Sequence, residues 1–301
     1  MNCVPLNELP KAKRAYSGYT VVGAGKTGID ACLWLLEQGV SPDDICWIMP
    51  RDAWLQDRAN VQPGDDFFNA SYGSFATQIE AAAQATSVDD LLARLEATGQ
   101  LLRIDTRVQP GMFHGAIVSL GELAELRRIR KRVRLGRVLR IEKDRIVLQQ
   151  GSVASDPDRL YVDCSASAVA RRPIVPVFDR KRITPQMVRT FQPTFSGAFI
   201  AHIEASLDDE AQKNLLCTVI PMPDQPIHWL SMLVVNMANQ YRWSKDKALR
   251  HWLEQSRLDP FTAMAHRVTP EQSDRVALLQ RYAAGAGAAA ANLPRLLAQA
   301  A

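Results

Sequence analysis

The chain has 301 residues, a formal net charge of +4, 47% hydrophobic residues and 23% charged residues. These ordinary globular values exclude a collagen, a coiled-coil rod and a wholly disordered chain. At about 100–200 residues per domain the length predicts two domains or one with an insertion, and the small charge gives no global reason to expect nucleic acid as a partner.

Residues 1–17 are polar, with Pro5 and Pro10, and read as a leader or linker without the apolar run of a signal peptide. Residues 19–23 (YTVVG) are short, apolar and β-branched, which predicts a strand. Residues 26–38 follow with Ile29, Cys32, Leu33 and Leu36 at helical spacing, and Gly39 ends that helix. After a turn at 41–44, residues 45–49 (ICWIM) predict a second strand. Strand, helix and strand together have the size of a βαβ unit.

Residues 50–74 are long, irregular and polar, the signature of a functional or mobile loop. Helices are predicted over 75–85, 88–98 and 120–129, the last with Ser119 and Glu122 spaced as a capping box. Between 133 and 164 the apolar period falls to two, and segments 133–141, 146–148 and 160–164 predict a β-meander. From 184 onward the pattern is helical, over 195–206, 208–216, 227–240, 245–256 and 270–282. The Ala/Gly-rich tail, 283–301, is expected to fray or to be disordered.

Gly23-Ala24-Gly25-Lys26-Thr27-Gly28 is a GxGxxG string placed after a strand and opening a helix. Such a loop uses its first glycine for the turn, its second for close approach of a pyrophosphate, and its third for helix–strand packing. The helix N-terminus then offers N–H groups and partial positive charge to the phosphates. The alternative is a simple strand–helix turn that uses glycine. A P-loop fits less well, because Thr20 stands where that motif requires glycine. At the end of the second strand, Arg51 lies where an adenosine 2′-phosphate would sit, which favours NADP over NAD; the alternative is that Arg51 is a loop arginine and Asp52 takes the ribose.

Residues 19–58 (YTVVGAGKTGIDACLWLLEQGVSPDDICWIMPRDAWLQDR) resemble the NADP-binding domain of two-dinucleotide-domain flavoproteins, the broad class of flavin monooxygenases and related FAD/NAD(P)-binding oxidoreductases. The resemblance is weaker over 130–205, where the meander and the segment LYVDCSA at 160–166 look like the return of the chain to an FAD domain. It implies an α/β fold, a Rossmann-like NAD(P)-binding domain with a β-meander, then a mostly helical C-terminal region. The division is 1–17 leader, 18–159 NAD(P)-binding domain, 160–282 partial FAD domain with helices, and 283–301 tail. It implies NADP as cofactor, FAD as a second one, and hydride transfer from NADPH to a flavin. The family's earlier GxGxxG for FAD has no match in residues 1–17. The expectations are therefore a shortened gene product or a divergent chain that keeps the NADP module, acting as a sensor or partner subunit. The strand at 160–164 would then lack neighbours, and the chain would self-associate or need a partner chain.

Other features carry less. The basic run 127–140 reads as a solvated strand face over a buried one, with a phosphate or nucleic-acid patch as the alternative; no aromatics are interleaved. None of the five histidines has metal-ligand spacing to another, and His114, in a glycine-flanked loop, is the candidate for substrate contact. Ser165 and Ser167 lack the GxSxG elbow. Trp229, Met232, Met237, Trp243 and Trp252 read as helix core, with the lining of an apolar cavity as the alternative. The five cysteines form no CxxC pair, and no run is long enough to span a membrane, so the expectation is a cytoplasmic protein with reduced thiols. No catalytic residue and no metal ligand is assigned.

Overall fold

In the computed structural model, which describes residues 1–12, 14–167 and 173–300, the chain starts with β1 (Asn2–Pro5) and a 3-10 turn over Leu6–Lys11 that buries Leu9. The segment expected to be a leader thus enters the fold: β1 is the edge strand of a sheet, where its terminal Pro5 is tolerated. β2 (Tyr19–Val22), α1 (Lys26–Glu37) and β3 (Ile45–Ile48) follow as expected. α1 buries Ile29, Ala31, Cys32 and Leu35 on the face turned to the sheet core.

The stretch expected to be an irregular loop holds β4 (Gln56–Asp57), two 3-10 turns and the start of α2 (Phe68–Gln84). α3 (Val88–Ala97) comes next, then β5 (Ile117–Val118) and α4 (Leu120–Arg128). The Ser119–Glu122 capping box is formed in both directions, with Ser119 Oγ accepting from Glu122 N at 3.1 Å and Glu122 Oε2 from Ser119 N at 2.6 Å.

The period-two region divides differently from the expected meander. β6 (Arg132–Val133) joins the parallel sheet, and a turn through Gly136 separates it from β7 (Val138–Ile141). β7 pairs with β8 (Arg145–Leu148), and β8 with β9 (Gly151–Ala154), both antiparallel. The third expected meander strand, β10 (Leu160–Asp163), returns to the parallel sheet.

That sheet has the order β1-β10-β2-β3-β6, with every pair parallel. From β2 the chain winds through α1 to β3 and on to β6. After β6 it returns across the sheet and inserts β10, the last strand of the sheet, between β1 and β2. Leu160, Tyr161 and Val162 are fully buried, as a central parallel strand requires. The expectation that this strand would have an open edge is not met, because β1 and β2 cover both of its edges.

Two compact units emerge. The sheet unit comprises Met1–Gln56 with Leu102–Arg171, and the second unit Asp57–Leu101 with Arg172–Ala301. β10, placed at the head of the second region by a serial division at 159/160, belongs to the sheet unit.

The second unit is helical apart from a small hairpin, β11 (Phe178–Asp179) and β12 (Arg182–Ile183). Its later helices are α5 (Pro193–Ser206), α6 (Glu210–Leu216), α7 (Pro226–Lys245), α8 (Lys247–Gln255), α9 (Pro260–His266) and α10 (Ser273–Ala300). Phe195 and Phe199 pack on Trp243 with ring centroids 5.7 and 4.5 Å away, and Trp243 Nε1 donates to Leu216 O at 2.9 Å. Buried Asn239 donates to Val188 O and Thr218 O at 2.9 and 2.7 Å.

The tail expected to fray is the second half of α10. It packs along α2: a Cβ at Gly285 would lie 2.7 Å from Ile79 Cγ2, and Asn292 Nδ2 donates to Ala82 O and Ala85 O, each at 2.8 Å; just before the tail, Arg281 clasps Glu80 at 2.9 and 2.7 Å.

Candidate functional site at the end of the parallel sheet

The glycine loop lies at the carboxyl ends of the neighbouring parallel strands β2 and β10. Gly23 has φ of +123°, a conformation open to glycine, and its N–H donates to Ile48 O at 2.9 Å. A Cβ there would lie 2.4 Å from Cys164 O, so the turn is pressed against the end of β10. A Cβ at Gly28 would lie 2.1 Å from Gly23 O, so α1 approaches the turn as closely as a glycine allows. Trp47 Nε1 donates to the same Gly23 O at 2.8 Å and pins the turn from beneath. Nothing in the residues around Trp47 signals that role.

Gly25 is different. Its φ and ψ of −79° and −177° suit any residue, and a Cβ there would meet no described atom within 4 Å. It is the N-cap of α1, it supplies no side-chain cap, and no acidic residue lies in the first turn of the helix. The first turn of α1 therefore supplies no anion of its own to the positive end of the helix. Ala24 is buried, Thr27 is exposed, and the Lys26 ammonium pairs with the Asp30 carboxylate one turn on.

Arg51 stands three residues beyond β3, at the same end of the sheet, and is half-buried. Asp52, the alternative ribose ligand, is buried and held by Arg134, whose Nε and Nη2 donate to its two oxygens at 2.7 and 3.0 Å. Arg134 Nη2 also reaches Asp105 Oδ2 at 3.2 Å, and Arg107 donates to both Asp105 oxygens at 3.0 and 3.2 Å. The hydrogen bonds from Arg107 lead in holding the Asp105 carboxyl well below the usual carboxylate range. Arg132 caps α4 by donating to Leu126 O and Arg127 O at 3.2 and 3.1 Å; its Nη1 lies 3.7 Å from Asp105, and its Nε has no hydrogen-bond partner among the described residues.

The arginines at 132 and 134 are therefore not a solvated strand face. They turn toward buried carboxylates, Asp52 and Asp105, contributed by segments far away in sequence. Alternation of charge along the strand showed that one face was basic, but nothing in it could show which acids that face would meet.

The remaining candidates fall outside this site or are inert. His114 is exposed in the loop before β5. Ser165 Oγ and N both donate to Asp163 Oδ1, at 2.6 and 2.9 Å, so that hydroxyl tightens the turn after β10. Burial, then the nearby Asp163, pushes the Cys164 thiol up to about 12, which keeps it protonated and unreactive near neutral pH. The five cysteines are free thiols. Trp229, Met232 and Trp243 are buried in the helical unit. Among the described residues no group of three or more His, Cys, Asp or Glu side chains could hold a metal ion. No described helix is long and apolar enough to cross a membrane.

No family model matches the chain, and no solved structure matches it. It is similar to an uncharacterized protein of Mycobacterium tuberculosis strain H37Rv and to an uncharacterized protein of Mycobacterium bovis. Each is 46% identical over 297 residues, which cover 99% of this chain and 55% of the relative. The chain thus spans about half the length of the relatives it matches.

Proposed function

We propose that the chain binds a dinucleotide, NADP(H), at the glycine loop, in a Rossmann-like domain, and serves an oxidoreductase. The observation that carries this is the contrast among three glycines. Packing and backbone require Gly23 and Gly28, whereas neither requires Gly25. A residue without a side chain, facing open space at a helix N-terminus whose first turn supplies no anion, fits the close approach of a pyrophosphate. The loop lies outside the carboxyl ends of parallel strands, the end at which ligands bind in open α/β sheets.

Arg51 would hold the 2′-phosphate, and the commitment of Asp52 to Arg134 favours that over a ribose-binding carboxylate. When bound, NADPH supplies a hydride; the acceptor proposed is a flavin. The three-stranded meander that leads into β10 supports the flavoprotein reading, since that is how the resembling family returns to its FAD domain. This chain's residues hold and orient the dinucleotide.

The test is calorimetric titration of NADPH into the wild type and Gly25→Val. Binding lost in a variant with an unchanged circular dichroism spectrum supports the reading; unchanged affinity in a folded variant makes the loop a simple turn. A visible spectrum of the purified protein separates the two roles. A flavin band supports the oxidoreductase, and its absence supports a NADP-binding sensor or partner subunit.

A further inference from the structure

We infer that the Asp52–Arg134 ion pair selects the cofactor: by occupying the Asp52 carboxylate it denies a ribose 2′-hydroxyl its acceptor and leaves the site suited to a 2′-phosphate. The inference rests on the dinucleotide reading above.

Three observations carry it. The first is position. β3 lies beside β2 and parallel to it, so Asp52, four residues past β3, stands at the same end of the sheet as the glycine loop. That is where a dinucleotide fold places its ribose-reading acid. The second is geometry. Both oxygens of Asp52 accept from Arg134, at 2.7 and 3.0 Å, and the residue is 7% exposed. A ribose hydroxyl would have to displace a bidentate, charge-assisted pair, which is among the stronger contacts a carboxylate makes. The lock is also built into the sheet. β6 pairs with β3, and Met49 N donates to Val133 O at 2.8 Å, so the backbone beside Arg134 is fixed against the backbone leading to Asp52.

The third is charge. The inner members balance, Arg132 and Arg134 against Asp52 and Asp105, and the exposed Arg107 adds one positive charge at the rim of the cluster. The surplus is positive before Arg51 is counted. An adenosine 2′-phosphate brings the opposite charge, whereas an unmodified ribose gains nothing from it. Arg134 is thus a positioning residue that acts through Asp52.

The experiment is calorimetric titration of NADPH and NADH into the wild type, Arg134→Gln and Asp52→Asn, with folding followed by circular dichroism. The wild type is expected to prefer NADPH at least tenfold. In Arg134→Gln the carboxylate is released, and the preference should fall at least tenfold, with NADH binding more tightly than in the wild type. In Asp52→Asn the positive surplus grows, and NADPH should bind more tightly with NADH not weakened. This second variant leaves no unpaired carboxylate, so it carries the test if Arg134→Gln fails to fold.

A folded Arg134→Gln with the wild-type preference overturns the selection while the dinucleotide reading stands. So does a tenfold loss of NADH binding in Asp52→Asn, which would place Asp52 on the ribose already. A wild type that binds neither dinucleotide overturns the glycine-loop reading, and the selection with it.

Discussion

Two glycines, one in each unit, serve opposite ends. In the helical unit a Cβ at Gly285 would come within 2.7 Å of Ile79 Cγ2, so the residue is there because α10 packs against α2. In the sheet unit a Cβ at Gly25 would meet nothing described within 4 Å, and the backbone there asks for no special conformation. Large side chains show the same division. Phe195, Phe199 and Trp243 fill the helical core and are explained by what they touch. The ionic cluster at the end of the sheet pairs Arg132 and Arg134 with Asp52 and Asp105 and adds the exposed Arg107, and among the described residues Arg132 Nε is left without a partner. Where packing explains each residue, the residues speak of stability. Where packing leaves a small residue facing open space, the proposed dinucleotide is what would fill it.

The comparison breaks most visibly in the helical core. Trp243→Ala should cost about 3–5 kcal/mol, because it removes a fully buried ring system and leaves a cavity among Phe195, Phe199 and Leu249. It also orphans Leu216 O, which the indole N–H satisfies. Denaturant unfolding measures it, and a cost under about 1 kcal/mol would show that the cluster is not a core.

The glycine loop sharpens the contrast within a few residues. Gly28→Ala should destabilise by about 1–3 kcal/mol or more, since the new methyl meets backbone that cannot move aside. Gly25→Ala should change stability by about 1 kcal/mol or less, the scale of an N-cap replacement, yet weaken NADPH binding. Paired melting curves and titrations decide it. Equal destabilisation by the two would return Gly25 to the class of packing glycines.

At the cofactor end, Arg51→Ala should lose a charge-assisted contact worth about 1.5–3 kcal/mol, which is roughly ten- to a hundredfold in NADPH affinity. NADH binding should be nearly unchanged. Equal loss for both dinucleotides would remove Arg51 from the 2′-phosphate.

Much of the sheet unit was legible because its signals are local. A β-branched run, a glycine string and a helical stripe lie within about thirty residues, and the capping box is four residues long. What was missed was set by distance. The strand at β1 has only four residues, polar ones among them, and is a strand because β10 lies beside it 158 residues on (Asn2 opposite Leu160). The start of α2 has the look of a loop although Phe68, Tyr72 and Phe75 recur at helical spacing, because polar residues and Gly73 surround them. The Ala/Gly tail has the composition of a frayed or disordered end because its packing surface is small, and smallness is what lets it lie against α2. In the site, the glycines were legible by spacing. The Asp52–Arg134 pair was not, because 82 residues separate its members.

The smallest expected effect tests whether that pair is held by the sheet or by the helix before it. Ser119 caps α4, and α4 leads through Arg132 into β6 and Arg134. Ser119→Ala removes one half of the capping box and should cost about 0.5–2 kcal/mol of stability, with the first turn of α4 fraying. The last turn of α4 is secured separately, since Arg132 donates to Leu126 O and Arg127 O. β6 is secured by its pairing with β3. The fraying should therefore stay at the far end of the helix, and the ratio of NADPH to NADH affinity should match the wild type while the melting temperature drops. Thermal melts and the two titrations on one preparation measure both. A shifted ratio would mean that α4, and not the sheet, positions Arg134, and the ionic cluster would then have to be regarded as an extension of the helix.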